Sequence, residues 1–213
     1  MSLERLPIFP LPDVVLFPHA LLPLHIFEPR YRALARDVLA GDRTLSIVRL
    51  KPGFERDYEG RPPIFPIGCS GVMTHVERLG DGRFNIVLRG VARVRICEEL
   101  RSGEPYRLVR GETLTPSLPL SPRVATLADG LKRLVLALSA AQRGPEMQAL
   151  VQIAARAKDP GDLADVVASA ILHAPRERQA VLEAVEIVAR LELVTQAAAA
   201  ALAQTASNAS APN

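Results

Sequence analysis

The aromatic residues of this chain stop halfway along it, and this asymmetry most constrains the fold. All six Phe and all three Tyr lie before residue 107, and the sequence contains no Trp. The second half is rich in Ala and Leu instead. Aromatic side chains favour strands, whereas Ala and Leu favour helices. The sequence therefore predicts an α+β protein, with a β part followed by a helical part.

A proline-rich stretch marks the change in composition. Three prolines between Glu112 and Pro122 remove backbone donors and fix φ, which is typical of an extended linker. We therefore predict four regions along the chain. They are a β-barrel subdomain over 1–112, a linker over 113–122, a helical bundle over 123–204 and a flexible tail over 205–213.

Short strands with alternating apolar residues dominate the first region. Asp81-Gly82 predicts a tight type I′ turn, so residues 71–79 and 83–88 should pair as a hairpin. One helix is predicted over 28–40, where the apolar residues share one face and Gly41 ends the helix. Many short strands with a single helix predict a small, strongly bent sheet or barrel.

Helical periodicity dominates the second region. We predict helices over 123–141, 145–157 and 160–173, and a long fourth helix from Pro175. Two signals mark the start of the third helix. Asp159 can cap it, and Pro160 fits the first helical position. Four helices with short connections predict a four-helix bundle.

No pattern in the sequence indicates catalysis. The glycine loops that hold nucleotide phosphates and the serine elbow of hydrolases are both absent. The four histidines, at positions 19, 25, 75 and 173, have no second ligand at metal-binding spacing. Cys69 and Cys97 lie in predicted strands and are expected to be buried, reduced thiols. We therefore predict no enzyme activity, no cofactor and no metal site.

The chain also lacks the sequence signs of membrane insertion or export. Its N-terminus has no uninterrupted apolar stretch of the signal-peptide type, and no run of 18 apolar residues is free of charge and proline. A cytoplasmic location without membrane association is expected.

One loop points to a binding element. Residues 51–63 are mostly polar but carry Phe54 and Tyr58. Aromatic residues on a polar loop either pack back onto the protein or contact a partner. Both interpretations stay open from the sequence alone, and Phe54 and Tyr58 are the candidate peptide-binding residues.

Arginines offer an alternative site in the strand region. Residues 1–112 hold 17 Lys and Arg against 14 Asp and Glu, and this difference of three is the whole formal charge of +3. If Arg93, Arg95 and Arg107 shared one sheet face, they could bind RNA phosphates. A solvated face with neighbouring glutamates is the favoured interpretation, because aromatic residues for base stacking are missing there.

The order of several motifs resembles the Lon protease N-terminal domain. The opening Leu6-Pro-Ile-Phe-Pro-Leu-Pro-Asp-Val-Val-Leu-Phe-Pro18, followed by Leu22-Pro-Leu24, is similar to the family's start. The helix after Glu28, the run Leu88–Ile96 and the helical segments 159–168, 177–183 and 190–193 follow in the family's order. The resemblance covers nearly all of residues 3–200.

This resemblance implies a PUA-like β pseudo-barrel with one helix, followed by a helical bundle. In Lon proteases an ATPase and a Ser-Lys protease domain follow this domain, and the present sequence has neither a Walker motif nor the protease dyad. The resemblance therefore implies a non-enzymatic module that recognises unfolded or specific polypeptides. RNA binding is the alternative function, by analogy with other proteins of this fold. The apolar residues on the predicted fourth helix could form a homodimer contact or fill the bundle.

Overall fold

The computed structural model describes residues 2–115 and 121–210, with the backbone alone for 208–210. The chain divides into two compact units between Thr115 and Pro116. Residues 116–120 of the predicted linker and 211–213 of the predicted tail lie outside the described residues. The region boundaries given above stay predictions.

Six strands and one α-helix make up the first unit within its described residues, together with one turn of 3-10 helix over Phe54–Asp57. The elements are β1 (Ser2–Leu11), β2 (Leu21–Ile26), α1 (Pro29–Ala40), β3 (Thr44–Arg49), β4 (Ile67–Arg78), β5 (Phe84–Leu100) and β6 (Arg107–Thr113).

The long strand β5 closes the sheet into a barrel. One side of β5 pairs with β4, and its other side pairs first with β2 and then with β6. Strand β1 connects the remaining strands, because it is parallel to β3 and antiparallel to β6. The ring β5-β4-β3-β1-β6 is therefore closed, and β2 lies beside β5 as an added edge strand.

Inward-facing aliphatic residues fill this barrel. A buried cluster joins four of its strands and consists of Leu6, Ile8, Val48, Val94 and Val109. Helix α1 buries Tyr31, Leu34, Ala35 and Val38 as its periodicity predicts. The predicted α+β fold class is confirmed.

The β4–β5 hairpin is present, but its turn differs from the prediction. Gly82 has a φ of +81°, whereas Asp81 is not among the residues with positive φ. The Gly82 N–H donates to the Leu79 carbonyl at 2.9 Å, and the Leu79 N–H donates to the Arg83 carbonyl at 2.9 Å. This pattern is a three-residue loop with a glycine bulge. The type I′ prediction is wrong because Gly80 belongs to the turn and lengthens it.

Five helices make up the described part of the second unit. They are α2 (Pro122–Gln142), α3 (Pro145–Arg156), α4 (Pro160–Ile171), α5 (Pro175–Glu183) and α6 (Ile187–Ser210). The predicted start of α4 is confirmed, since the Asp159 carboxylate accepts from the Gly161 and Asp162 N–H groups at 2.7 and 3.1 Å.

The predicted fourth helix is two helices, so the bundle does not have four. The helix is interrupted between Glu183, where α5 ends, and Ile187, where α6 begins. The side chain of Arg190 lies in this break. Its Nε and Nη2 donate to the carbonyls of Ala184 and Val185, each at 2.9 Å. A buried arginine thus satisfies carbonyl groups that a continuous helix would satisfy itself.

Helix α6 continues to Ser210 through an Ala-rich segment of high helix propensity, so residues 205–210 of the predicted tail are helical. The flexibility of this tail stays a prediction. One expectation about the cysteines needs correction. Cys69 is buried as expected, but Cys97 is exposed. The pairing of β5 with β6 shifts register between Ile96 and Glu98, and this bulge accounts for the exposure of Cys97.

Candidate functional site on the barrel

The loop that carries Phe54 and Tyr58 is held against the start of α1. Gly53, at a φ of +87°, turns the chain into the 3-10 helix that begins at Phe54. The Phe54 and Tyr58 rings are 6.1 Å apart and tilted by 59°. Both side chains are half-buried.

Tyr58 anchors this loop. Its hydroxyl donates to the Glu28 carboxylate at 3.0 Å, and the Arg30 guanidinium lies 5.0 Å from the centre of its ring. Burial, followed by the hydrogen bond to Glu28, raises the pKa of Tyr58 above its ordinary value. These contacts support the interpretation in which Tyr58 packs back, and Phe54 stays a predicted contact residue.

Arg30 links the loop to the barrel and lines a small cleft. Its guanidinium also lies 4.6 Å from the Tyr31 ring centre, and its Nε donates to Glu28 at 3.0 Å. The buried Nη2 makes no hydrogen bond to any residue that the structure describes. The cleft has a volume of about 180 Å³, and its wall includes Arg61 and Arg107. A ligand carbonyl or carboxylate there could accept from Arg30.

The three candidate RNA-binding arginines do not share an exposed face. Arg93 and Arg107 are only 3% and 8% exposed, whereas Arg95 is exposed. Arg107 donates to both oxygens of Glu99, at 2.9 and 2.8 Å, and to the Pro62 carbonyl at 2.8 Å.

Arg95, the exposed one of these three arginines, is also paired with a glutamate. Arg95 forms an ion pair with Glu112, with 2.5 Å between Nη1 and Oε1. Phosphates would have to displace these carboxylates, and two of the three side chains lie inside the protein. The geometry therefore gives no support to a phosphate-binding track.

An apolar strip that the sequence interpretation missed lies on the edge strand β2. Alternate residues at the start and just beyond the end of β2 are exposed, with Leu21 at 64% and Phe27 at 59%. Pro23 and His25, between them, are exposed as well. The His25 and Phe27 rings stack at 6.1 Å. We call Leu21, Pro23, His25 and Phe27 the β2 strip.

The neighbouring strand extends this apolar surface. Leu21 lies opposite Arg89 on β5, and Val91, two residues further along, is 46% exposed. Val91 lies where the β4–β5 pairing shifts register, since Ser70 pairs with Ala92 and Gly71 with Gly90. The signal in the sequence was the lack of alternation in Leu21–Phe27, where both faces carry apolar residues. Large exposed apolar side chains that cluster mark interaction surfaces.

The described ranges contain neither a cluster of metal ligands nor a membrane-spanning helix. No group of three His, Cys, Asp or Glu side chains in residues 2–115 and 121–210 could hold a metal ion. No helix in these ranges is long and apolar enough to span a membrane.

Comparison with known proteins decides the family. The family model for the substrate-binding domain of the ATP-dependent protease La (LON) matches residues 5–199. The chain belongs to the Lon substrate-binding domain family. Lon protease from Desulfosudis oleivorans is 27% identical over 91% of this chain, but the match covers only 23% of that protein. The chain thus spans less than a quarter of the length of this relative.

Solved structures agree with the Lon-domain fold. The N-terminal domain of the Mycobacterium avium complex Lon protease superposes with a TM-score of 0.72 at 22% identity, over 92% of this chain and 98% of that one. A Lon N-terminal domain protein from Xanthomonas campestris gives a TM-score of 0.63 at 21% identity, over 89% and 96% of the two chains. The resemblance read from the sequence motifs is confirmed.

Proposed function

We propose that this Lon-domain protein is a non-enzymatic module that binds unfolded or extended polypeptides. The observation that carries the proposal is the β2 strip, which presents Leu21 and Phe27 to solvent on an edge strand. An extended polypeptide can place alternate apolar side chains on such a strand. The family's substrate-binding domain supports the same role.

The proposed contact is made through side chains more than through the backbone. Pro23 lies in the middle of β2 and has no N–H to donate, so the edge offers an incomplete ladder to another strand. Apolar contacts with Leu21, Phe27 and Val91 would then supply most of the affinity. Binding of this kind tolerates many sequences, which suits a protein that recognises unfolded chains.

The proposal places the protein in the cytoplasm and gives it no catalytic role of its own. Phe54 is included as a second, sequence-predicted contact. RNA binding through Arg93, Arg95 and Arg107 stays a prediction that the burial of two of them does not favour. A homodimer through the predicted fourth helix, which corresponds to α5 and α6, also stays a prediction.

Titration against two labelled ligands tests the proposal. The ligands are a reduced and alkylated, permanently unfolded protein and a single-stranded RNA, each measured by fluorescence anisotropy at low and moderate salt. We expect the unfolded protein to bind and its affinity to survive added salt, because apolar contacts are not screened. RNA binding whose affinity falls steeply with salt would contradict the proposal.

Matched variants locate the surface. Leu21→Ser with Phe27→Ser should raise the Kd for the unfolded protein at least about tenfold, given the contribution of one buried apolar side chain. Leu193→Ser, at a 38% exposed position in the helical unit, is the control and should leave the Kd unchanged. Equal effects of the two changes would reject the β2 strip as the binding surface.

A further inference from the structure

An apolar groove separate from the barrel lies between α2 and α3 of the helical unit. Its volume is about 340 Å³, which is within the roughly 300–1,000 Å³ of ligand pockets. Leu136 on α2 lines it and is 61% exposed. The apolar lining is completed by Val135, Val151, Ala154 and Ala155.

The groove exists because the other helices of the bundle cover only part of the apolar surface of α3. Leu150 and Ala154 are buried in the bundle. Val151 and Ala155 follow them by one position and line the groove together with Ala154. Residues four apart lie on the same side of a helix, so the second pair forms a parallel apolar row. The small alanine side chain at 155 lets another chain approach α3 closely.

Cationic side chains border this groove. Lys132 and Arg133 lie one turn before Leu136 on α2, and both line the groove. Asp129, three and four positions before them on α2, is the acidic residue nearest to them in sequence. The groove therefore combines an apolar floor with two cationic side chains on its border.

We propose that this groove binds an amphipathic, acidic helix of a partner protein. The apolar residues of the partner helix would contact Leu136, Val151 and the alanine floor, and its carboxylates would face Lys132 and Arg133. The bound segment of the partner is expected to be a helix, because the groove walls are helices and offer no free strand edge to extend. This docking surface is distinct from the β2 strip and goes beyond the proposed function.

Charge argues against a second copy of this chain as the occupant. In a two-fold dimer the same patch meets itself, so Lys132 and Arg133 of one copy would approach the same residues of the other. Like charges across an interface are unfavourable. The concave shape argues against a membrane surface, since a bilayer presents no side chain that could enter the groove.

Two synthetic helical peptides test the proposal on the full chain. Both carry Leu at helical spacing; one has Glu at the remaining positions and the other has Lys. We expect the Glu peptide to bind in fluorescence anisotropy and the Lys peptide to bind at least about tenfold more weakly. Lys132→Glu with Arg133→Glu should reverse this preference. Arg176→Glu, at an exposed position on α5, is the charge control and should leave the preference unchanged.

A second set of variants tests the apolar contact. The substituted residues are exposed, so their replacement should not affect folding. Leu136→Ser should raise the Kd for the Glu peptide at least about tenfold and leave the circular dichroism spectrum unchanged, whereas Leu193→Ser should change neither quantity. Three results would overturn the proposal. They are equal binding of both peptides, binding of anionic lipid vesicles without binding of the Glu peptide, and a self-association that Leu136→Ser removes.

Discussion

Arg190 on α6 and Asp165 on α4 form a buried ion pair in the helical unit, with 3.3 Å between Nη1 and Oδ2. Both side chains are only 2% exposed. The same guanidinium donates to the carbonyls of Ala184 and Val185 in the break between α5 and α6. One side chain therefore fixes the position of three helices relative to one another.

Removing this arginine should strongly destabilise the helical unit. Arg190→Met leaves the Asp165 carboxylate buried without its guanidinium, and such losses cost about 3–5 kcal/mol. The free energy of unfolding from urea denaturation measures the effect. Replacing both partners, with Asp165→Leu added, should recover part of the loss, because no charge is then buried.

An exposed ion pair is the control for that measurement. Arg123 pairs with Glu192, but its side chain is 69% exposed. Arg123→Met should change the free energy of unfolding by less than about 1 kcal/mol. A comparable loss for Arg123→Met and Arg190→Met would contradict the role assigned to burial.

A close backbone contact makes Gly90 a second sensitive position. Its N–H donates to the Ala20 carbonyl at 2.9 Å, and its own carbonyl accepts from the His19 N–H at 3.0 Å. A Cβ at this position would collide with the Phe17 carbonyl oxygen and lie 2.9 Å from its carbon. Gly90→Ala should therefore lower the free energy of unfolding by about 2 kcal/mol or more.

Gly103 provides the matched control for this substitution. A Cβ there would meet no atom within 4 Å, and its φ is not positive. Gly103→Ala should change the free energy of unfolding by no more than about 0.5 kcal/mol. If thermal denaturation gave both variants the same melting temperature, the close approach at Gly90 would not limit stability.

Local signals in the sequence located much of the fold. The cap at Asp159 and the apolar face around Leu34 depend on neighbouring residues only, so α4 and α1 appear where the sequence predicts them. The β4–β5 hairpin was also local. Its turn type was missed because one additional glycine, Gly80, decides between two loop lengths that both contain Asp-Gly.

Long-range contacts explain what the sequence could not predict. Local periodicity gives no sign that Arg190 is buried, yet this side chain enters the core to meet Asp165, 25 positions earlier. Arg107 looked solvated, yet it is buried beside Glu99 and Pro62. The closure of the barrel by β5 and β6, and the edge position of β2, likewise depend on pairing that periodicity does not encode.

The hydrogen bond between Tyr106 and Asp37 predicts a dependence of stability on alkaline pH. The Tyr106 hydroxyl donates to Asp37 Oδ2 at 2.9 Å, and burial together with this carboxylate raises the pKa of Tyr106. The folded state therefore holds the phenol proton more tightly than the unfolded state, whose tyrosine pKa is about 10. The resulting stability is complete below about pH 10 and declines as the pH rises toward the folded pKa.

Tyr106→Phe tests this linkage. At neutral pH the variant should lose about 1 kcal/mol, as expected for one hydrogen bond. Above about pH 10 the difference in free energy of unfolding between the original protein and the variant should narrow, because phenylalanine does not ionise. Urea denaturation over a pH series measures the difference. A constant difference from neutral to alkaline pH would show that the pKa of Tyr106 is not raised.

The loop aromatic residues should separate stability from binding. Tyr58→Phe removes the hydrogen bond to Glu28 but keeps the ring, so it should lower the free energy of unfolding by about 1 kcal/mol and leave the Kd for an unfolded protein unchanged. Phe54→Ser should raise that Kd, because the proposal gives the Phe54 ring a contact role. Both quantities are measured on both variants. If Tyr58→Phe weakened binding and Phe54→Ser did not, the two roles would have to be exchanged.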